Sequence, residues 1–324
     1  MGTQEWSEGS SFAHYQEAKP IEIDGRDFIW SVAFLVDGKH VVSGGEEGKI
    51  RRWRVEDGKE VGTPTYGWRT VYAIAVSRDG KWIVSGTDGG WVRVWNAESH
   101  SEVTKVRGHS DQVCAVDVSP DGTRIATGSD DKTVCVWSLS TGERLLGPFK
   151  HDYQVAAVRF SPNGALIATA TWRRVSVRVY DSQNGGLLVD FPVRVGSASN
   201  QSLAWASDSK RLFASSSDGD IHCLDVFTGT TFSRWAIHNR NEARCVALAS
   251  NGMFIAASAN SSVSFWDTTT HEQIGSVIER THAVMSMAIS TSYDLVVGGD
   301  QTITLLRLCD ILPSRYFDNV RVYA

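Results

Sequence analysis

Trp53, Trp95 and Trp137 stand 42 residues apart, and each closes a short β-rich phrase: KIRRW, WVRVW and KTVCVW. A repeat of this length is the signature of a β-propeller, in which each supersecondary unit is too small to bury its apolar face alone and must stack on its neighbours. Degenerate copies of the phrase return at 177–180, 221–224, 263–266 and 303–308, which makes seven repeats.

A second periodic signal runs between the first. Asp37-Gly38, Asp79-Gly80, Asp121-Gly122, Asn163-Gly164, Asp208-Ser209 and Asn251-Gly252 each follow an alternating apolar stretch such as VYAIAVS or VCAVDVS, and Asn/Asp-Gly is the strongest short hairpin signal. Tyr293-Asp294 takes the seventh slot. Each turn is followed by a strand of small residues, a tight turn, the tryptophan strand and a less regular edge strand. The expected fold is therefore all-β, a seven-bladed propeller of four-stranded antiparallel blades. After Arg280 only three strands remain, while residues 19–23 form a spare strand ahead of blade 1. An N-terminal strand that completes the last blade would close the ring and remove its open edge. The expected organisation is an arm at 1–18, the propeller at 19–312, and a tail at 313–324 on an outer face.

With 42% hydrophobic and 21% charged residues over 324 positions, the chain has the make-up of a globular domain with one large core. Its net charge of -5 speaks against a bulk nucleic-acid surface. No apolar run approaches the ~18 residues of a membrane span, and the first residues lack a signal-peptide core. The five cysteines, at 114, 135, 223, 245 and 309, all fall on expected strands without metal-ligand spacing. Free, buried thiols point to a reducing, cytoplasmic setting, with neither a metal nor a disulfide frame. No GxGxxG, GxxxxGK[ST] or GxSxG turn is present, so neither a cofactor nor a catalytic residue is nominated.

The stretch from GHSDQVCAVDVSPDG through RIATGSDDKTVCVW resembles the WD-repeat β-propeller family across its whole motif, and weaker copies carry the resemblance from about 19 to 312. The resemblance implies a buried structural hydrogen-bond chain through His109, Asp131, Thr127 and Trp137. Other repeats depart from it. Gly25 and Gly67 stand at the His position of blades 1 and 2, Glu47 and Gly89 replace the turn Asp, and blade 4 keeps His151 but has Tyr180 for Trp. TGERLLGPFK and THEQIGSV are similar to repeats of fungal and bacterial WD-repeat regions, including those attached to NACHT-type signalling ATPases.

In that family the partner usually sits on the face around the central channel. Carried over by position, the resemblance nominates Phe28, Trp30, Thr70, Tyr72, Gln112, Cys114, Gln154, Ala156, Ser199, Gln201, Glu242, Arg244, Ala283 and Met285 near the starts of the inner strands. The pre-turn positions add Glu46, Asp88, Asp130, Trp172 and Asp218, with Asp300 in blade 7. Trp172, Arg173 and Arg174 in the TWRRVS loop form a basic, aromatic spot suited to a carboxylate or phosphate on a partner. Trp53, Trp95, Trp137, Trp205 and Trp266 are assigned to the core.

Phe28, Trp30, Tyr72 and Trp172 offer aromatic anchors, and Glu46, Asp88, Asp130 and Asp218 interleave carboxylates. Cations can be held by both, so the expected partner is a protein or peptide with a Lys- or Arg-rich segment. The expected function is a non-catalytic scaffold acting as a monomeric propeller, alone or within a larger protein or complex. Two readings compete with it. One is an enzyme with a pocket at the channel mouth. The other is a phosphoinositide-binding propeller using the basic stretch FPVRVGSASNQS at 191–202, where Val195 occupies the place of a needed second Arg.

Overall fold

The blade unit is most regular in blade 3, where Val113–Val118, Arg124–Ser129, Thr133–Ser138 and Arg144–Lys150 hydrogen-bond in that order as an antiparallel sheet. The computed structural model describes residues 20–66, 69–172, 176–193, 201–237 and 243–317. Residues 1–18, Gly67, Arg173, Arg174, Val195, Ser199, Glu242 and the end of the tail lie outside the described residues. Among those described, the strands assemble into seven four-stranded sheets. The inner strands of the other blades are Ile29–Phe34, Val71–Val76, Val155–Phe160, Leu203–Trp205, Ala243–Leu248 and Ser286–Ile289. Each touches the next around the circle, and the last returns to the first. The ring is closed, with the channel at its centre.

The hairpin turns form for the reason their sequence suggests. In blades 1 to 6 an Asp or Asn side chain accepts the backbone N–H two residues on, as in Lys39 to Asp37 at 2.8 Å and Met253 to Asn251 at 3.0 Å, and this Asx turn leaves the next residue left-handed. Glycine fills that position at Gly38, Gly80, Gly122, Gly164 and Gly252. Blade 5 uses Ser209 at φ 56°, and blade 7 uses Tyr293 at φ 62°. The seventh turn is therefore Ser292-Tyr293 rather than Tyr293-Asp294. Its backbone bond from Tyr293 to Ser290 matches that from Gly122 to Ser119. A left-handed Tyr costs roughly 1–2 kcal/mol, which is offset here by burying its ring against Phe254 and Phe317.

Small residues in the second strand answer a packing demand between blades. A Cβ on Gly128 would lie 2.5 Å from the Val155 side chain of blade 4, and one on Gly298 would lie 2.7 Å from Val32 of blade 1. The inner-strand valines of blades 1 to 4 thus seat against the preceding blade's backbone, and the apolar clusters sit between blades rather than within them. The third-strand position opposite Val41, Ile83 and Ile125 holds Trp53, Trp95 and Trp137, all buried. Trp205 and Trp266 are buried as well.

Closure follows the expected route. Ile21–Asp24 pairs antiparallel with Thr302–Arg307, placing Ile23 opposite Ile303. Cys309 is exposed in a short 3-10 turn, Leu308–Asp310, instead of lying on a strand. The chain then returns to blade 6, where Tyr316 is buried against Phe254, donates its hydroxyl to Asp267 at 2.9 Å and accepts the Asn251 side-chain amide on its backbone carbonyl at 2.7 Å. Packing therefore continues past residue 312, to Phe317.

Candidate functional site

Blade 3 holds the complete polar chain. Trp137 Nε1 donates to Thr127 Oγ1 at 2.8 Å, Thr127 Oγ1 meets His109 Nε2 at 2.7 Å, and His109 Nδ1 meets Asp131 Oδ2 at 2.9 Å. Burial works to raise the Asp131 carboxyl, but hydrogen bonds from His109 and Thr133 outweigh it and hold the group well below the usual carboxylate range. Gly108 precedes the histidine because a Cβ there would lie 1.9 Å from the Trp137 ring. These four residues brace the blade; they are spoken for by one another.

The departures in other blades have local substitutes. Trp53 and Trp95 donate to Ser43 and Ser85 at 2.8 and 3.1 Å. In blade 1, Asp27 accepts the Glu47 N–H, and the Glu47 carboxylate turns outward to Lys49 and Arg51. In blade 4, His151 Nε2 meets the Tyr180 hydroxyl at 3.3 Å, and its Nδ1 is buried without a hydrogen-bond partner among the described residues. Burial, aided by Arg178, pushes this imidazole down to about 4 from 6.5. The unfolded chain takes up a proton below pH 6.5 that the folded chain refuses, so this contribution to stability is present above that pH and is lost as pH falls toward 4. Urea unfolding at pH 7 and pH 4.5 should show a loss from this group of about 2–3 kcal/mol. The pH dependence should be shallower in His151→Phe by that amount, and an unchanged slope would refute the assignment.

The channel-mouth face is built by β-bulges. Register shifts interrupt the pairing of first and second strands between Ile29 and Ser31, Val71 and Ala73, Val113 and Ala115, and Val155 and Ala157. The extra residues are Trp30, Tyr72, Cys114 and Ala156. A bulge re-aims the side chain it adds. Beside each, the pre-turn residue ties its N–H to the first nominated position: Glu46 to Phe28, Asp88 to Thr70, Asp130 to Gln112 and Trp172 to Gln154, at 2.9 to 3.2 Å. The two nominated sets thus meet on one face in blades 1 to 4.

They form separate groups. In blades 1 and 2, Phe28, Trp30 and Tyr72 make a continuous row with ring centroids 4.7 and 5.5 Å apart. Trp30 Nε1 is buried without a hydrogen-bond partner among the described residues. Burial raises the Tyr72 hydroxyl, and the negative charges of Asp88, Asp130 and Glu46 push the same way, so all three carboxylates act on one aromatic ring. Gln112 Nε2 donates to Asp130 at 2.6 Å, and the Cys114 thiol reaches the same carboxylate at 3.3 Å. Arg69, which sequence reading missed, pairs with Asp88 at 3.3 Å. Across the ring, Arg244 Nη1 lies 3.5 Å from Met285 Sδ, and His282, also missed, pairs with Asp300 at 2.9 Å. Trp172 is half-buried beside Gln154, and Asp218 stands exposed on blade 5.

Three nominated positions do not present a free side chain on that face. Cys114 and Ala156 are buried. Gln201 is drawn into the channel, where its Nε2 donates to Val32 O at 3.3 Å, its Oε1 accepts the Met287 N–H, and its carbonyl accepts the Val246 N–H at 2.8 Å. Blade 5 has a three-residue inner strand, Leu203–Trp205, and Gln201 stands two residues ahead of it, outside the strand.

A family model described as the IFT122 first beta-propeller matches residues 70–311, and the WD domain, G-beta repeat model matches residues 20–54. Neither match bears on the likeness to NACHT-attached regions. No curated protein matches the chain.

Proposed function

The chain belongs to the WD-repeat β-propellers, within the family described as the IFT122 first beta-propeller, and on that premise we propose that it is a non-catalytic scaffold whose channel-mouth face in blades 1 to 3 receives a Lys- or Arg-bearing segment of a partner protein. The observation that carries this reading is the Phe28–Trp30–Tyr72 row, lying in the field of Asp88, Asp130 and Glu46. Such a row offers a preorganised apolar strip with little side-chain entropy left to lose. The carboxylates favour a cation above it.

The reactive groups nearby fit this reading better than catalysis. Burial pushes the Cys114 thiol well up, with Asp130 adding to the effect, so it stays protonated and a poor nucleophile. His109 is committed on both ring nitrogens. Cys114, Cys135 and Cys223 are free, buried thiols, which supports a reducing, cytoplasmic location. Among the described residues no helix is long and apolar enough to cross a membrane.

Affinity capture from a cell extract with the wild-type chain and a Trp30→Ala/Tyr72→Ala/Asp88→Ala variant tests the proposal. The partner should be lost with the variant while the melting temperature stays within ~5 °C, since truncating a central aromatic anchor costs ~2 kcal/mol or more of binding. A partner retained by the folded variant would remove this face from consideration.

A further inference from the structure

The inner strands run from the channel-mouth face to the opposite end of the channel, where they line an open cavity of about 370 Å³. Gln201 forms its floor, tied by hydrogen bonds to blades 1, 6 and 7. Two cations and one carboxylate line the walls and mouth: Arg159 on blade 4, Arg78 after the inner strand of blade 2, and Asp117 on blade 3. None of them belongs to the aromatic face described above.

Their bonding is lopsided. The Asp117 carboxylate is engaged by the backbone, accepting the Phe160 N–H at 2.7 Å, and burial raises its pKa. Arg159 Nη1 donates to the Val158 and Val116 carbonyls at 3.0 and 3.5 Å, and no carboxylate comes within ion-pair distance of it among the described residues. Burial lowers the guanidinium, with Asp117 opposing. Arg78 is exposed at the mouth, where its Nη1 donates to Pro162 O at 3.1 Å. The Trp205 indole donates to Arg159 O at 3.2 Å and makes one wall. A guanidinium held in a channel without a paired anion is costly, and its planar fork matches a two-oxygen acceptor.

We propose that this cavity binds a small molecule bearing one phosphate or carboxylate group, with the oxyanion held between Arg159 and Arg78 and the remainder of the molecule lying along Trp205. The volume exceeds what a bare oxyanion needs and falls at the lower end of small-molecule sites, ~300–1,000 Å³. Asp117 opposes the oxyanion, so its charge limits affinity rather than supplying it.

The test uses the full chain, with inorganic phosphate and acetate as probes, in calorimetric titration and thermal melts against sodium chloride at equal ionic strength. Wild type should bind at least one probe saturably and melt higher with it. Arg159→Met should weaken that binding at least about tenfold, the loss expected for charge-assisted hydrogen bonds. Arg78→Ala should weaken it by a smaller factor, and Asp117→Asn should tighten it. The Asp117→Asn result keeps the proposal testable should Arg159→Met fail to fold. Preference for phosphate identifies a phosphorylated ligand, and preference for acetate a carboxylate. Absence of saturable binding to both probes, undiminished binding in folded Arg159→Met, or weaker binding in Asp117→Asn would each overturn it.

Discussion

A chain shortened to begin at Phe28 should melt roughly 5–10 °C below the full protein, and a peptide spanning residues 19–27 should restore most of the loss when added in excess. The deletion removes Ile21–Asp24, the outer strand of blade 7, and leaves the edge of Thr302–Arg307 open. Ile23 is buried in a cluster with Trp53, Ile303 and Leu305, and Ile21 packs against the same cluster. Burying two such side chains contributes ~3–5 kcal/mol, and at this chain length ~1 kcal/mol moves the midpoint by about 2 °C. The strand also touches blade 1, where a Cβ on Gly58 would lie 2.9 Å from Ile21. It therefore joins the first and last blades, and its loss loosens both. Rescue by the peptide follows from mass action, because the peptide binds only the folded ring. An unchanged melting temperature would mean that the ring is held by its inner strands alone.

Thr127→Val should cost about 2–5 kcal/mol with little change in shape. The hydroxyl it removes accepts from Trp137 and contacts His109, so both ring nitrogens lose a buried partner at once. Each orphaned buried group costs ~1–3 kcal/mol. Thr127→Ser keeps the oxygen and should lose under ~1 kcal/mol. Ser43→Ala in blade 1 should lose about half as much as Thr127→Val, because Ser43 serves the Trp53 indole without a histidine beside it. Denaturant unfolding of the three variants checks the order. Equal costs for Thr127→Val and Ser43→Ala would show that the His109 branch contributes nothing.

The aromatic face was legible only in part. The WD-repeat resemblance, carried over by position, nominated Phe28, Trp30, Tyr72 and the three carboxylates, which the structure brings close together. It also nominated Cys114, Ala156 and Gln201, whose repeat positions are equivalent but whose side chains are buried. Whether a bulge residue reaches the face depends on its size: Trp30 and Tyr72 project far enough to meet, whereas Ala156 stays between blades. Arg69 and His282 went unnoticed because they stand one position before the nominated residues Thr70 and Ala283 and acquire meaning only from the carboxylates they meet, Asp88 and Asp300.

Local chemistry determined the strands, the Asx-Gly turns of five blades and the third-strand tryptophans of four, since each rests on residues close in sequence, and the count of strands called for a closing one. The tertiary structure decided what depends on neighbours from different blades. It placed Tyr293 in a left-handed turn that only burial against Phe254 and Phe317 could support, and it folded Tyr316 back onto blade 6. It drew Gln201 across the axis and set Arg159 beside Asp117 in the channel. Contacts of that kind join positions scores of residues apart, and the period of the repeat carries no record of them.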